Sequence, residues 1–261
     1  MNADIIQDNE RPHWLARCCN YAYEDPAFLQ ELFGRAKSPW KFEKENFFED
    51  IGTSTQGFII YAPGTREIVV AFRGCRELTD FIRGFTKSWL IIWKNIKVCQ
   101  NYLAAWQSVK PGIFDRLENI IFSFHRENPA ENIKLYFTGH SLGAALASLA
   151  AYDTRRNRLF KKCKPGLYTF GGSYIGDKSF KKSFDALAKE FTGKHYLDPN
   201  DLFVRMINKY LNLMVKGRPY CPVAGQVMLP AGKGHEISNY MNLLDPAKQR
   251  RQPSHNDKKI S

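Results

Sequence analysis

The chain has 261 residues, of which 44% are hydrophobic and 25% are charged, and its formal net charge is +12. This composition excludes an intrinsically disordered chain and predicts a single domain over residues 1–261, because enough apolar surface is present to bury one substantial core. The longest strongly apolar run, at residues 89–93, has five residues, far fewer than the roughly 18 that a transmembrane helix needs, so we expect no transmembrane segment.

The first residues, MNADIIQDNERPHW, are polar and acidic and offer neither a basic n-region nor an apolar h-region. We therefore expect no cleaved secretory signal and a cytoplasmic location, although export by a signal-independent route would leave the same sequence. The six cysteines contain no C-x-x-C pair and no Cys/His ligand pattern, which indicates free thiols in a reducing compartment. The acidic residues are scattered, so we expect no metal site and no cofactor.

The first third of the chain predicts two helices and a β-hairpin. Residues 12–33 have helical character and are split by Pro26, because proline ends one helix or begins another. They open a helical segment over about residues 12–50. The β-branched and aromatic runs at residues 57–62 and 67–72 are typical of strands, and the Pro-Gly-Thr turn between them predicts a hairpin.

From residue 102 onwards, helical and strand patterns alternate. In chain order they are a helix at 102–126, a strand at 133–138, a helix to about 156, a strand at 167–170, a helix at 178–191 and a strand at 194–197. Pro111-Gly112 predicts that the first of these helices is broken or begins there. The alternation predicts an α/β fold with a mostly parallel central sheet and helices on both faces. After about residue 247 the chain is highly polar, and we expect a flexible tail.

The pentapeptide Gly139-His140-Ser141-Leu142-Gly143 has the form G-x-S-x-G. An apolar strand, KLYFT, leads into it and an Ala-rich helix, LGAALASLAAY, leaves it. Such a strand–turn–helix lifts a nucleophilic serine above the carboxyl edge of a sheet, at a helix N-terminus that favours an oxyanion. The alternative is a serine that merely caps a close-packed alanine helix.

A serine hydroxyl needs a base and an orienting carboxylate, which follow it here in the order Ser, acid, His. Four of the six histidines fit poorly, because they precede the serine, lie within its turn or lie in a predicted strand: His13, His125, His140 and His195. The remaining two are His235, in the glycine-rich loop of residues 231–235, and His255, in the polar tail. A base must be held rigidly, which favours His235.

Three aspartates compete for the role of the orienting acid. Asp198 and Asp201 follow the strand that ends at residue 197, and strand-end loops are where a parallel sheet presents functional side chains. Asp198 precedes a proline and is expected to begin the turn, which favours Asp201. The third candidate, Asp177, is expected to cap the helix that follows it.

With these residues placed, the chain resembles the class 3 lipases, the fungal triacylglycerol-lipase-like branch of the α/β-hydrolases, from about residue 55 to 245. The matching motifs, in chain order, are VVAFRGC at 69–75, LTDF at 78–81, TGHSLGAALA at 138–147, TFG at 169–171 with IGD at 175–177, NDLFVR at 200–205, and His235 with Tyr240. The resemblance implies an α/β-hydrolase fold and a serine esterase or lipase that hydrolyses lipid esters through an acyl-enzyme.

The resemblance also implies a role for each matching residue. Ser141 would be the nucleophile, His235 the general base and then acid, and Asp201 the orienter. The backbone N–H groups of Leu142 and Cys75 would form the oxyanion hole. Where this chain has Cys75 the family has Thr or Ser, so a hydroxyl donor is replaced by the weaker donor of a thiol. We therefore hypothesise that Cys75→Thr raises the esterase kcat.

The family carries its lid after the first oxyanion-hole strand, and residues 81–93 of this chain occupy that place. The segment mixes large apolar side chains with Arg83 and Lys87, and a helix of that content can shield an acyl pocket in water and turn towards lipid. An ordinary core helix is the alternative. The residues expected to form the lid or bind substrate are Phe81, Phe85, Trp89 and Trp93.

The positive charge lies in the second part of the chain. Residues 1–100 hold 13 basic and 13 acidic side chains, whereas residues 101–261 hold 25 basic and 13 acidic ones. Within the second part, the block 155–194 holds 11 basic and 3 acidic side chains. A solvated surface explains such a block as well as an anionic partner does. Together with the lid, it predicts peripheral contact with an anionic membrane and a phospholipase A or acylglycerol lipase.

Other classes of function stay open at this point. One is a catalytically weak or inactive relative that acts as a lipid- or protein-binding module. Within the hydrolases, the serine turn also serves proteases, thioesterases and acyltransferases. We expect no nucleic-acid partner, because no recognised module occurs and aromatic residues are not interleaved with the basic clusters.

Overall fold

The protein is described from a computed structural model, which covers residues 6–75, 90–93, 95–128, 132–214, 221–223 and 225–249. Its helices are α1 (Arg11–Tyr21), α2 (Pro26–Phe33), α3 (Gln100–Glu127), α4 (Leu142–Arg155), α5 (Lys178–Ala188), α6 (Leu202–Met214), α7 (Ile237–Leu244) and α8 (Pro246–Gln249). Its strands are β1 (Phe47–Asp50), β2 (Thr55–Ala62), β3 (Glu67–Phe72), β4 (Leu90–Trp93), β5 (Ile96–Cys99), β6 (Lys134–His140), β7 (Lys164–Phe170), β8 (His195–Leu197) and β9 (Gln226–Met228).

Seven strands form one sheet in the order β1-β2-β3-β6-β7-β8-β9. The strands from β3 to β9 in that order run parallel, and β1 and β2 add an antiparallel edge through the predicted hairpin of β2 and β3. This confirms the mostly parallel sheet. Because the parallel strands all end at the same edge, the turns that follow β3, β6 and β8 lie along one edge of the sheet.

Helices cover both faces of the sheet, as predicted. α3, α4 and α5 contribute to one core cluster, whereas α1, α2 and α7 contribute to the cluster on the opposite face. Strand β6 is buried on both faces, because Leu135 and Phe137 face the first cluster and Tyr136 faces the second. Side chains alternate along a strand, so a strand that is apolar throughout must be buried on both sides.

The prediction that Pro111 breaks or begins a helix is wrong. α3 runs without interruption from Gln100 to Glu127 with Pro111 inside it. Pro111 and Gly112 both lie on its exposed face, while a buried apolar stripe continues past them from Trp106 to Leu117. The packing of that stripe outweighs the single backbone hydrogen bond that proline removes.

The expected lid helix over residues 81–93 is wrong at its carboxyl end. Residues Leu90–Trp93 form strand β4, which pairs antiparallel with β5, and Asn95 takes a left-handed backbone conformation beside the turn. The β-branched residues of Leu90–Trp93 and Ile96–Cys99 suit a short hairpin better than a helix. Trp93 ends β4, whereas Phe81, Phe85 and Trp89 lie outside the described residues.

The carboxyl-terminal part contains elements that the sequence pattern did not predict. α6 follows the Asp201 turn directly, β9 adds the last strand of the sheet, and α7 packs on the face of α1. The start of the predicted tail is the short helix α8, and residues beyond 249 lie outside the described part. None of the helices in the described part is long and apolar enough to cross a membrane.

Candidate active site

The serine turn lies between β6 and α4 at the carboxyl edge of the sheet. Ser141 has φ 56° and ψ −120°, a conformation that a residue with a side chain keeps only when its surroundings hold it there. Two glycines make the turn possible. A Cβ on Gly139 would lie 2.0 Å from the carbonyl oxygen of Gly143, and a Cβ on Gly143 would lie 2.3 Å from that of Phe72.

The side chain of Ser141 faces His235 rather than the helix that follows it. Its Oγ lies 2.9 Å from His235 Nε2, and it makes no capping hydrogen bond to α4. The alternative interpretation, in which the serine is only a helix cap, is therefore wrong. Ser141 is only 5% exposed, so water competes little for this contact.

Asp201 holds the other nitrogen of the His235 ring. Its Oδ2 lies 2.8 Å from His235 Nδ1 and accepts a hydrogen bond of 2.7 Å from the Tyr240 hydroxyl, and Oδ1 accepts one from the Val204 N–H. Burial alone raises the pKa of the Asp201 carboxyl, but these partners stabilise its charged form and leave the pKa below its ordinary value. A carboxylate only accepts, so Nδ1 carries the proton and Nε2 presents its lone pair to Ser141.

The loop that carries His235 has no regular secondary structure, and Asp198 and Asn239 hold it from two sides. The buried Asp198 carboxylate accepts hydrogen bonds from the N–H groups of Gly232 (3.0 Å) and Gly234 (3.2 Å) and from Asn239 Nδ2 (2.7 Å). Burial raises the pKa of this carboxyl, but the donors outweigh it and the pKa is lowered. Asn239 Nδ2 also donates to the carbonyl oxygen of Gly234.

The imidazole of His235 lies close to two other rings. The Phe203 ring centroid lies 4.4 Å away and that of His140 lies 4.7 Å away. His140 Nε2 donates to the carbonyl oxygen of His235 at 2.6 Å. Burial, together with the neighbouring His235, lowers the pKa of His140 to about 3, so His140 stays neutral and adds no charge beside the base.

The two predicted oxyanion donors belong to adjacent turns at the same sheet edge. The register of β3 and β6 pairs Phe72 with Gly139, so the segment that ends at Cys75 follows β3 beside the serine turn. Leu142 is the first residue of α4, where backbone N–H groups have no partner within the helix and the helix dipole favours negative charge. Cys75 is half-buried.

The remaining candidates that the structure describes make no hydrogen bond with the side chains of Ser141 or His235. His195 is in β8 with Nδ1 2.6 Å from Thr169 Oγ1, and burial lowers its pKa to about 4. Asp177 accepts hydrogen bonds from the first N–H groups of α5, which confirms it as a helix cap. Asp198 accepts from the Asn200 N–H and begins its turn as expected. His255 lies outside the described residues.

The residues that hold the base in place are not evident from the sequence. The sequence patterns indicate Asp198 only as the start of a turn, His140 only as part of the serine turn and Phe203 only as part of the NDLFVR motif, and they do not indicate Asn239. The available signal is position in the chain, because His140 and Phe203 lie within the matching motifs and Asp198 and Asn239 lie within two residues of one. Their contacts with the His235 loop join segments up to 95 positions apart, which a local pattern does not reveal.

The arrangement suits acyl transfer. His235 Nε2 is placed to accept the Ser141 proton, Asp201 stabilises the imidazolium that would form, and the start of α4 lies beside the oxygen of the nucleophile. Among the described residues no cluster of three or more His, Cys, Asp or Glu side chains could hold a metal ion.

Comparisons with known proteins identify a lipase family. A family model described as Lipase (class 3) matches residues 69–208. Secreted mono- and diacylglycerol lipase A of Penicillium cyclopium is 29% identical over 160 residues, which are 59% of this chain and 48% of that protein. Phospholipase A1-II 1 of Oryza sativa subsp. indica is 26% identical over 144 residues, 47% of this chain and 35% of that protein. The chain thus spans about half the length, or less, of these curated relatives.

Solved structures show the same fold. The crystal structure of a lipase from Rhizopus microsporus var. chinensis superposes with a TM-score of 0.64 at 18% identity, over 93% of this chain and 85% of that one. The Rhizomucor miehei lipase in its native propeptide complex superposes with a TM-score of 0.60 at 17% identity, over 85% of this chain and 68% of that one. These similarities confirm the predicted α/β-hydrolase fold.

Proposed function

This chain belongs to the class 3 lipase family, and we propose that it is a serine hydrolase that cleaves the acyl ester bonds of lipids. The observation that carries the proposal is the pair of contacts made by one imidazole, with His235 Nε2 2.9 Å from Ser141 Oγ and Nδ1 2.8 Å from Asp201 Oδ2. A serine, a histidine and an ionised aspartate in hydrogen-bonded sequence are what nucleophilic acyl transfer requires.

In the first half-reaction Ser141 Oγ attacks the ester carbonyl carbon while His235 Nε2 takes the hydroxyl proton. Asp201 stabilises the resulting imidazolium through the proton on Nδ1. The negative charge on the carbonyl oxygen is stabilised by the N–H groups of Leu142 and Cys75. His235 then gives its proton to the leaving alcohol, and an acyl ester of Ser141 is left.

In the second half-reaction a water molecule attacks the acyl carbon. His235 Nε2 accepts a proton from the water as it attacks, and the same two N–H groups stabilise the second tetrahedral oxyanion. The C–O bond to Ser141 breaks, the proton on His235 returns to Ser141 Oγ, and a free fatty acid leaves. Each cycle therefore consumes one ester and one water and restores the serine.

We propose glycerolipids as the substrate class, either acylglycerols or the acyl esters of glycerophospholipids. The printed names of the curated relatives include a mono- and diacylglycerol lipase and a phospholipase A1, which supports both groups. The positive charge of the chain favours substrates presented on anionic membranes, at which the protein would act as a peripheral enzyme.

Lipid-product analysis tests the proposal. Purified protein is incubated with liposomes of mixed phospholipids and acylglycerols, and the released fatty acids and lyso-lipids are quantified by mass spectrometry. We expect fatty acid release that falls by on the order of 10⁴ or more in Ser141→Ala, because the nucleophile is removed. Equal release by the two proteins would overturn the proposal.

A parallel panel of soluble ester, thioester and peptide substrates separates the lipase from other serine hydrolases with the same turn. Ester cleavage well above thioester and peptide cleavage supports the proposal. Lipid binding without any turnover would instead favour a non-catalytic binding module.

A further inference from the structure

One side of α6 carries exposed apolar side chains next to exposed cations. Leu202 is 62% and Met206 67% exposed, and Arg205 and Lys209 are exposed as well. These four positions are spaced by one, three or four residues, so they lie on one side of the helix. We call them the outer face of α6.

The inner face of the same helix packs on the active site. Val204 and Ile207 are buried, and the Phe203 ring lies against the imidazole of His235. Asp201 immediately precedes the helix, and its Oδ1 accepts the Val204 N–H. Leu202, at the start of the outer face, is therefore the residue next to the acid of the proposed triad.

The outer face has no negative charge of its own. The sequence of α6, LFVRMINKYLNLM, contains no Asp or Glu. Neither Arg205 nor Lys209 has an ion-pair partner within the part of the chain that the structure describes. Two large exposed apolar side chains flanked by unneutralised cations are typical of helices that lie in the interface of an anionic bilayer.

Part of the basic block of residues 155–194 lies at the other end of the sheet. The exposed lysines Lys161 and Lys162 are in the loop that joins α4 to β7, and a crossover helix between parallel strands returns the chain to their amino edge. α4 has 14 residues, so this loop is separated from Ser141 by about 21 Å. A membrane bound there would face away from the serine.

We infer that the outer face of α6 docks the protein on an anionic phospholipid surface. The apolar side chains enter the headgroup boundary while the cations contact the phosphates, and the edge of the sheet that carries Ser141 is held towards the lipid. This inference rests on the proposed function for its purpose, but the docking itself needs no catalysis.

Vesicle flotation of the Ser141→Ala protein tests it, because this background cannot digest the vesicles. The vesicles are phosphatidylcholine alone or equal parts phosphatidylcholine and phosphatidylglycerol. Two pairs of changes are made in the outer face: Leu202→Gln with Met206→Gln, and Arg205→Gln with Lys209→Gln. The matched control, Lys161→Gln with Lys162→Gln, removes the same charge from the opposite edge.

We expect the parent to float with the anionic vesicles and much less with the neutral ones. Each pair in the outer face should weaken binding by on the order of tenfold or more, and the control should weaken it by less than about twofold because it lies farther from the bound surface than the Debye length. Equal losses in the control, unchanged binding in the cationic pair, or equal parental binding to both vesicles would overturn the inference. Thermal unfolding shows whether each variant is folded. If the variant with the apolar pair of changes is not folded, the variant with the cationic pair of changes decides the test.

The proposed function and the docking surface can be overturned independently of each other. If the unmodified protein, with Ser141 intact, releases no fatty acid but flotation gives the expected results, the proposed function is wrong and the docking surface stands. If fatty acid is released and neither outer-face pair changes flotation, the docking surface is wrong and the enzyme stands.

Discussion

The two halves of the active site are held in place by different kinds of interaction. The Ser141 turn is fixed by close packing, with Gly139 and Gly143 so near other backbone atoms that neither has room for a Cβ. The loop of His235 is fixed by hydrogen bonds, since Asp198 and Asn239 bind its backbone and His140 binds its carbonyl oxygen.

This difference indicates how each half should fail. A side chain added to the serine turn must move a strand or a helix, so the damage extends to the fold. Loss of a hydrogen bond in the loop leaves the core intact but lets His235 move away from Ser141, so only the catalytic rate falls. Variants of the two halves separate these two outcomes.

The largest effect is expected for Gly143→Ala. Its Cβ would lie 2.3 Å from the carbonyl oxygen of Phe72, and we expect little or no folded protein, as measured by soluble yield and circular dichroism. Gly112→Ala is the matched control, since a Cβ there meets nothing within 4 Å and should raise the free energy of unfolding by about 0.5–1 kcal/mol. Normal folding and activity of Gly143→Ala would show that the turn is not fixed by packing.

The next effect is expected for Asp198→Ala in the loop. The N–H groups of Gly232 and Gly234 lose their acceptor, and we expect kcat on a soluble ester to fall by about 10²-fold with KM little changed. Asp198→Asn keeps an acceptor oxygen and should recover part of the rate. Asp177→Ala, which removes a similar set of backbone hydrogen bonds at the start of α5, serves as the control and should leave kcat within about twofold. A similar fall in kcat for both alanine variants would contradict a positioning role for Asp198.

A smaller effect is expected from acid on His140, which joins the two halves. Its pKa in the folded protein is lowered to about 3 from an ordinary value of 6.5, so below pH 6.5 the unfolded chain binds a proton that the folded protein does not. The free energy of unfolding should therefore decrease as the pH falls below 6.5, by about 1.4 kcal/mol per pH unit for this histidine.

Urea unfolding at pH 7 and pH 5 measures this effect. Between these values the unmodified protein should lose about 2 kcal/mol more stability than His140→Gln. His195→Gln provides a comparison away from the triad, because burial lowers the pKa of His195 to about 4 and its removal should reduce the acid sensitivity in the same direction. If His140→Gln is as sensitive to acid as the unmodified protein, His140 is not the neutral buried group described here.

The smallest effect is expected for Cys75→Thr beside the serine turn. A hydroxyl donates a stronger hydrogen bond than a thiol, and we expect kcat on a soluble ester to rise by up to about tenfold. Cys75→Ala has no side-chain donor and should not raise it. An unchanged or lower kcat in Cys75→Thr would show that the thiol does not weaken the oxyanion hole.

The packed half could be read from the sequence far better than the hydrogen-bonded half. The serine turn is encoded within five adjacent residues, and the strand and helix on either side have clear patterns. Asp201 and His235 followed from chain order and from the motifs around them. The hydrogen bonds of Asp198 with Gly232 and Asn239 join residues that are 34 and 41 positions apart in the chain. No local sequence pattern predicts such contacts.

The two wrong predictions of secondary structure also result from contacts that each segment makes with other parts of the chain. Pro111 continues a helix because a buried stripe on the opposite side outweighs its local preference, and Leu90–Trp93 became a strand because β5 offers it a partner. In both places tertiary packing overrides local propensity.

Labelling with a fluorophosphonate tests the central claim most directly. We expect a single phosphonate adduct on Ser141, located by peptide mass spectrometry, that forms at least about 10³-fold more slowly in His235→Ala because the base is lost. An adduct on another residue, or labelling of Ser141 at the same rate with and without the imidazole of His235, would contradict it.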